Sequence, residues 1–377
     1  MKTIPVSEPL ILGKELKYAQ QAIESGWISS EGEFINRFEK DFAQYIGKKY
    51  AVAVNNGTNA LILALRVLDL PKESEVIIPT FTIISCALSC IYNNLIPVFI
   101  DCDKRTQTMD VSKIEERISK KTKAIMPVHI YGHPADMNMV LKVAKKHNLC
   151  VIEDFAEAIG SLYKGRKCGS FGDINCTSFY GNKLITTGEG GMCLTDNKIF
   201  AEKLRRLRNL GFIPQERFVH YDLGFNFRIT NVQSAIGCAQ LERIEEHVKR
   251  KVWIANTYNR ALNKLQQKGF ISLPVEETWA KNTYWMYTIV LNEKFGVKAK
   301  EVIGKLRKKN IQARPFFYPL HLQPAFKKLP WYKKENLPVS EKLYEYGFYL
   351  PSGLTLKKED IGRVSFALEE VLHGFCK

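Results

Sequence analysis

From Tyr50 onward the chain alternates between two hydrophobic periods. Short apolar runs lie at Ala51–Val54, Glu75–Ile78, Val98–Asp101, Ala124–Val128, Cys150–Glu153, Asn175–Phe179 and Met192–Thr195. Between them, apolar residues recur at helical spacing, as in Ala60–Leu68, Val111–Ile118 and Asn138–His147. Near-continuous apolar runs separated by amphipathic stretches predict an α/β fold, a mostly parallel sheet with helices on both faces. A helix carrying Phe34, Ile35, Phe38, Phe42, Tyr45 and Ile46 on one side precedes the first run. A longer helix over Thr230–Lys251 follows the last, with Val232, Ala235, Ile236 and Ala239 turned inward.

Beyond this helix the pattern changes. Strand-like Tyr287–Leu291, a helix over Ala299–Lys308 and a proline-rich connection from Arg314 to Pro324 predict a smaller C-terminal α+β domain. The expected division is 1–250 and 251–377, give or take ten residues.

With 377 residues and 45% hydrophobic content, the chain can bury a large core. Its most apolar stretch, Val76–Ile100, is interrupted by Pro79, Asn93, Asn94 and Pro97. It therefore reads as strand, helix and strand, not as a membrane span. The opening MKTIPVSEPL has no apolar signal core. A soluble, cytoplasmic protein is expected. Nine cysteines without a C-x-x-C pair fit a reducing compartment. Cys86 and Cys90, four apart, share a helix face and read as core, so no metal is expected. The net charge of +16 is spread over dispersed lysine pairs such as Lys48-Lys49 and Lys327-Lys328. Without arginines interleaved with aromatics, this excess reads as solvated surface and not as a nucleic-acid footprint. A pull on a diphosphate substrate is its lesser reading.

In open α/β sheets, ligands bind beyond the carboxyl ends of the strands. At such an end, "NNGTNALILAL" places Gly57 and Thr58 at a helix start, which suits a phosphate but is also an ordinary N-cap. "CVIEDFAEAIG" places Glu153 and Asp154 where a carboxylate either caps a helix or meets a cationic ligand group. "SFYGNKLITTGEGG" places Lys183 beside glycines, as a desolvated nucleophile or as a plain loop lysine. In this order the three supply what pyridoxal 5′-phosphate needs: a phosphate site, an anion that keeps the pyridine nitrogen protonated, and an amine for the aldehyde.

The stretches "SGWISSEGEFINRFEKDFAQYIG", "VNNGTNALILAL", "EVIIPTFT", "KAIMPVHIYG", "VIEDFAEAIG", "SFYGNKLITTGEGGM" and "FNFRITNVQSAIGCAQLERI" resemble the fold type I, pyridoxal-phosphate-dependent sugar-nucleotide aminotransferases. The likeness is near full length. "ARPFFYPLH" and "FYGNK" are similar to the GDP-perosamine synthase subgroup. The resemblance implies that Lys183 binds the cofactor's aldehyde and Asp154 its pyridine nitrogen. It implies that Gly57, Thr58 and Ser178 hold the phosphate and that Glu157 lies near the ring hydroxyl. Asn226 would reach a neighbouring subunit's phosphate, in a homodimer with shared active sites or a tetramer. Trp27, Ile28, Ser29 and Ser30 would lie near the substrate. Arg314, Phe317, Tyr318 and His321 would line the nucleotide-sugar side. Where family members often carry a ring-stacking aromatic, this chain has Ile83, so either Ile83 or Phe81 would back the ring.

The implied reaction moves an amino group from L-glutamate to the C4 keto group of a nucleotide-linked 4-keto-6-deoxyhexose. The GDP-linked mannose derivative, giving GDP-perosamine for surface polysaccharide such as lipopolysaccharide O-antigen, is the specific expectation. A dTDP- or UDP-linked sugar, or amination at C3, is the alternative. Released Lys183 would move the proton, and the glycines after it would leave room for a sugar. A sugar dehydratase on the same fold carries histidine in place of this lysine, and Lys183 argues against it. Intact Asp154, Ser178 and Lys183 argue against a non-catalytic regulator.

Overall fold

The structure is a computed structural model that describes residues 2–213, 216 and 218–375. Strands β1 (Tyr50–Val54), β2 (Glu75–Pro79), β3 (Ile96–Ile100), β4 (Thr122–Ile125) and β5 (Cys150–Asp154) precede a short hairpin, β6 (Leu162–Tyr163) and β7 (Arg166–Lys167). Strands β8 (Ile174–Ser178) and β9 (Gly191–Thr195) follow. The main sheet has the order β1-β9-β8-β5-β4-β2-β3. Its neighbours pair in parallel except β9, which runs antiparallel to both β1 and β8. The mostly parallel α/β sheet is thus as expected.

Strand alternation sends side chains into two cores. Val52, Val54, Cys176 and Cys193 face one, packed with the helix α3 (Gly57–Val67). Ala51, Ala53, Met192 and Leu194 face the other, packed with Phe38 and Phe42 of α2 (Glu33–Ile46). Cys86 and Cys90 lie together in the first core, on a helix over Ser85–Ile91.

Two expected helices differ. Val111–Ile118 forms two single 3₁₀ turns, Val111–Lys113 and Glu115–Arg117. Eight residues are marginal for a helix, and the Asp110 carboxylate accepts the Ser112 N–H at 3.2 Å, competing with helical bonding. Thr230–Lys251 is broken at Arg243 (φ −111°) into Asn231–Glu242 and a longer helix, Ile244–Gln267, which passes through the expected division.

A second sheet has the order β10-β12-β14-β13, from Ile271–Ser272, Tyr287–Leu291, Gly347–Leu350 and Arg314–Pro315. Strand β11 (Ala280–Lys281) instead joins the β6-β7 hairpin. A separate core gathers Ile254, Tyr258, Tyr287, Phe348 and Leu368, together with Ile4 from the start of the chain. Among the described residues, no helix is long and apolar enough to cross a membrane.

Candidate active site

Asp154 ends β5, Ser178 ends β8, and the two strands are parallel neighbours with Asp154 opposite Cys176. Their carboxyl ends therefore open on one edge of the sheet. Helix α3 starts just beyond β1 on the same edge, and Asn56 caps it by accepting the Asn59 N–H at 2.8 Å. This start lies flush against the β8–β9 hairpin. A Cβ on Gly57 would sit 2.7 Å from the Ser178 Cβ, and one on Gly191 would sit 2.4 Å from the Asn56 carbonyl oxygen. The glycine of "GEGGM" thus serves close backbone approach.

A cavity of about 290 Å³ fills this edge. Gly57, Thr58, Ile83, Asp154, Glu157, Ser178, Lys183 and Phe317 all line it. Ile83 is partly exposed at its wall, whereas Phe81 is buried against Tyr131, Phe316 and Phe317. Of the two, only Ile83 lines the cavity.

Charge in the cavity is poorly solvated. Lys183 Nζ lies 4.0 Å from Glu157 Oε1. Burial lowers the lysine's pKa below its ordinary 10.5, with Glu157, Asp154 and Cys86 pulling it back. Burial also pushes the Glu157 carboxyl up to about 7, against the pull of Lys183 and the Tyr131 N–H that donates to Oε2 at 2.7 Å. Asp154 is raised by burial too, partly offset by the Ala156 N–H at 3.0 Å on Oδ1. The Cys86 thiol donates to Asp154 Oδ2 at 3.4 Å. Glu153 points to the opposite side of β5. There it accepts from His129 Nε2 and from the N–H groups of Gly169, Phe171 and Gly172. Ala135 N–H donates to His129 Nδ1, so the ring proton sits on Nε2. His129, Glu153 and Cys168 meet here, but the carboxylate is already satisfied by these donors.

Several site residues were not legible in the sequence. Trp285 covers Lys183, its ring centroid 3.8 Å from Nζ. Its Nε1 donates to the Asn182 carbonyl at 2.8 Å. Tyr349, Thr82, Ser85 and Asn182 also line the cavity, and the Thr58 and Ser85 hydroxyls lie 2.8 Å apart. Trp285 and Tyr349 arrive from the second sheet, and no local pattern marks them.

Other predicted residues stand apart from this cavity. Asn226 is exposed in a bridge with Asn209. Trp27 and Ser29 are exposed and use their carbonyls on Asn231. Ser30 lines a different cavity of about 610 Å³ with Arg205, Arg206, Arg208 and Arg228. Arg314 is exposed, and Tyr318 packs edge-on against Tyr344. His321 is fully buried, not at a ligand wall. Its Nδ1 lies 2.7 Å from Thr80 Oγ1 and its Nε2 3.1 Å from Glu341 Oε1. Within this proline-rich connection, Leu320 is anchored in the core under the main sheet.

The residues present fit pyridoxal phosphate. The cavity holds an amine, two buried carboxyls and an open helix start. Thr177 Oγ1 and Asn182 Oδ1 are buried without a protein partner, and both residues line it.

Comparison with known proteins agrees with this geometry. The chain is 43% identical over 369 residues to a GDP-perosamine synthase of Caulobacter vibrioides, covering 98% of each chain. It is 41% identical over 370 residues to a GDP-perosamine synthase of Escherichia coli O157:H7, covering 98% of this chain and 99% of the relative. Its fold matches an aminotransferase from Psychrobacter cryohalolentis with a TM-score of 0.93 at 29% identity, covering 99% of this chain and all of that one. The DegT/DnrJ/EryC1/StrS aminotransferase family model matches residues 9–369, and the chain belongs to that family.

Proposed function

We propose that this chain is a pyridoxal-phosphate-dependent aminotransferase that takes the amino group of L-glutamate and delivers it to C4 of GDP-4-keto-6-deoxy-D-mannose, giving GDP-perosamine. The observation that carries this reading is a single cavity lined at once by Lys183, Asp154, Glu157, Ser178 and the Gly57–Thr58 helix start. The near full-length likeness to two GDP-perosamine synthases supports the sugar.

When bound, the cofactor supplies the electron sink and carries the amino group between the two substrates. The α3 N–H groups, Thr58 and Ser178 would hold its phosphate, the helix dipole favouring the charge. Asp154, a buried carboxylate, would keep its pyridine nitrogen protonated, and Lys183 would hold its aldehyde end. Lys183 Nζ would also move the proton at the reacting substrate carbon, and its lowered pKa favours the neutral amine this needs. Glu157 would lie near the ring hydroxyl. Trp285 excludes water from the lysine. Phe317 and Tyr349 form the wall toward the sugar.

The reading extends to assembly and location. A homodimer brings Asn226 to the partner's phosphate and Trp27, Ser29 and Ser30 to its substrate. Exposed Trp27, Ile28 and Leu223 support such an apolar contact. Arg314 and Tyr318 face the nucleotide side, His321 acting from behind. The two domains are 1–250, around the main sheet, and 251–377, around the second, and the enzyme works in the cytoplasm on sugars for surface polysaccharide.

The test is incubation of the purified protein with L-glutamate and, separately, GDP-, dTDP- and UDP-linked 4-keto-6-deoxyhexoses. Mass spectrometry and NMR then identify the amino sugar. A 4-amino GDP sugar with matching 2-oxoglutarate is expected. Turnover of another nucleotide sugar without the GDP sugar would overturn the assignment.

A further inference from the structure

Lys251 is a buried lysine that the reaction does not use. It lies on the Ile244–Gln267 helix at 2% exposure. Its Nζ donates to two carbonyls, Trp285 O at 2.6 Å and Ser352 O at 2.5 Å. Desolvation alone acts on it, and no neighbouring charge among the described residues offsets the burial. Burial without a carboxylate is costly to the charged form and pushes the pKa of this amino group down to about 7. An apolar side chain of similar length would fill the same space at less cost, so the position points to what the amino group holds.

What it holds is the roof of the cavity. Strands β12 and β14 pair as far as Tyr287 opposite Leu350. Beyond that pair the two chains leave the ladder, one toward Trp285 and the other toward Ser352. Lys251 ties both carbonyls together where strand pairing stops. On one chain the tied residue, Ser352, lies two residues past Leu350, the last of the ladder. On the other chain the tied residue, Trp285, is itself the one whose indole covers Lys183 Nζ at 3.8 Å. The indole is fixed at its far side by Nε1 donating to the Asn182 carbonyl, and Lys251 fixes its backbone.

We propose that Lys251 is a positioning residue for the transamination, holding the Trp285 backbone so that the indole stays over Lys183 and keeps water from it. This rests on the role given to Lys183 above. The groups that face Lys183 besides Trp285 are Glu157, Asp154 and Cys86. None of them touches Lys251, so loosening the tie alters the water around Lys183 and leaves its charged neighbours in place. With less desolvation, the Lys183 amine becomes more basic.

The experiment reads Lys183 directly. The cofactor-free chain is labelled with a trace of an amine-acylating reagent from pH 6 to 11, and the Lys183 peptide is quantified by mass spectrometry. In Lys251→Met, the labelling midpoint of Lys183 is expected to rise by about one pH unit, a tenfold loss of free amine at pH 8. Trp285→Ala should give a similar rise, and adding Lys251→Met to it should give none further. If Lys251→Met does not fold, Lys251→Gln, which keeps an N–H donor, is read instead, with a smaller rise expected. An unmoved midpoint in a folded variant with a lowered Tm makes Lys251 a purely structural residue and overturns the inference. So does a full further rise in the Trp285→Ala background. Protection of wild-type Lys183 from the label by added pyridoxal phosphate is a separate arm. Failure there sinks the role of Lys183 itself, whatever the variants do.

Discussion

Lys183 Nζ and Glu157 Oε1 face each other at 4.0 Å, each nearly stripped of water, and burial pushes both toward their neutral forms. The folded chain binds a proton at Glu157 more tightly than the unfolded chain does, between about pH 4.5 and 7. Stability at this group is therefore present at low pH and lost as pH rises through that window. The upper limit of the loss is about 3 kcal/mol. Lys183 runs the other way, since its depressed pKa makes folding easier as pH rises toward 10.5. In Glu157→Gln the first effect disappears. Urea denaturation of the cofactor-free protein at pH 5 and pH 8 should show wild type losing about 2–3 kcal/mol more than the variant. Parallel pH dependence in the two proteins would refute the assignment.

Asp154 has both oxygens occupied, by the Ala156 N–H and the Cys86 thiol. Asp154→Asn keeps the shape of this arrangement but removes the anion that, in the proposed site, would retain a proton on the ring nitrogen. Cofactor binding should persist, with kcat reduced on the order of a hundredfold or more. A variant with wild-type kcat would show that the ring nitrogen needs no anion here.

Gly57 admits no side chain. Its Cβ would stand 2.7 Å from the Ser178 Cβ, so Gly57→Ala must shift the start of α3 away from β8. Those same groups hold the phosphate in the proposed site. Equilibrium dialysis should show pyridoxal phosphate bound about tenfold more weakly, while pyridoxal without the phosphate is affected less. Equal weakening of both ligands would place the phosphate elsewhere.

His321 joins two segments that line the cavity. Its ring meets Thr80, three residues before Ile83, and its own chain carries Phe317 four residues earlier. The Leu320 N–H also donates to the Thr80 carbonyl at 2.8 Å. His321→Ala leaves a buried void and an unpaired hydroxyl, with an expected cost of about 2–4 kcal/mol. KM for the nucleotide sugar should rise more than kcat falls, since both loosened segments form walls and neither carries the lysine. Kinetics with stability measured in parallel decide this; unchanged KM would leave His321 a folding residue only.

The main sheet was legible because each strand is buried on both faces and so appears as an apolar run. The anchors Thr58, Asp154 and Lys183 were legible because they directly follow such runs. Antiparallel β9 was not, since an apolar run has no direction. Trp285, Tyr349 and Lys251 were invisible for another reason. Each acts through a contact made far along the chain, and a tryptophan or a lysine in an amphipathic stretch looks the same whether it faces a core, a cavity or water. The burial of His321 was not legible either, since a proline-rich connection has no hydrophobic period that marks Leu320, His321 and Phe326 as buried.

The antiparallel insertion of β9 has a consequence for synthesis. It makes the Lys183 loop a local hairpin, with Ser178 already opposite Gly191. The floor of the site can thus be assembled from neighbouring sequence as the chain emerges, domain by domain. Trp285 is about a hundred residues later, and Tyr349 later still. Until Trp285 docks, Lys183 Nζ lacks the indole that covers it. The shielding of Lys183 is therefore completed only by the final third of the chain.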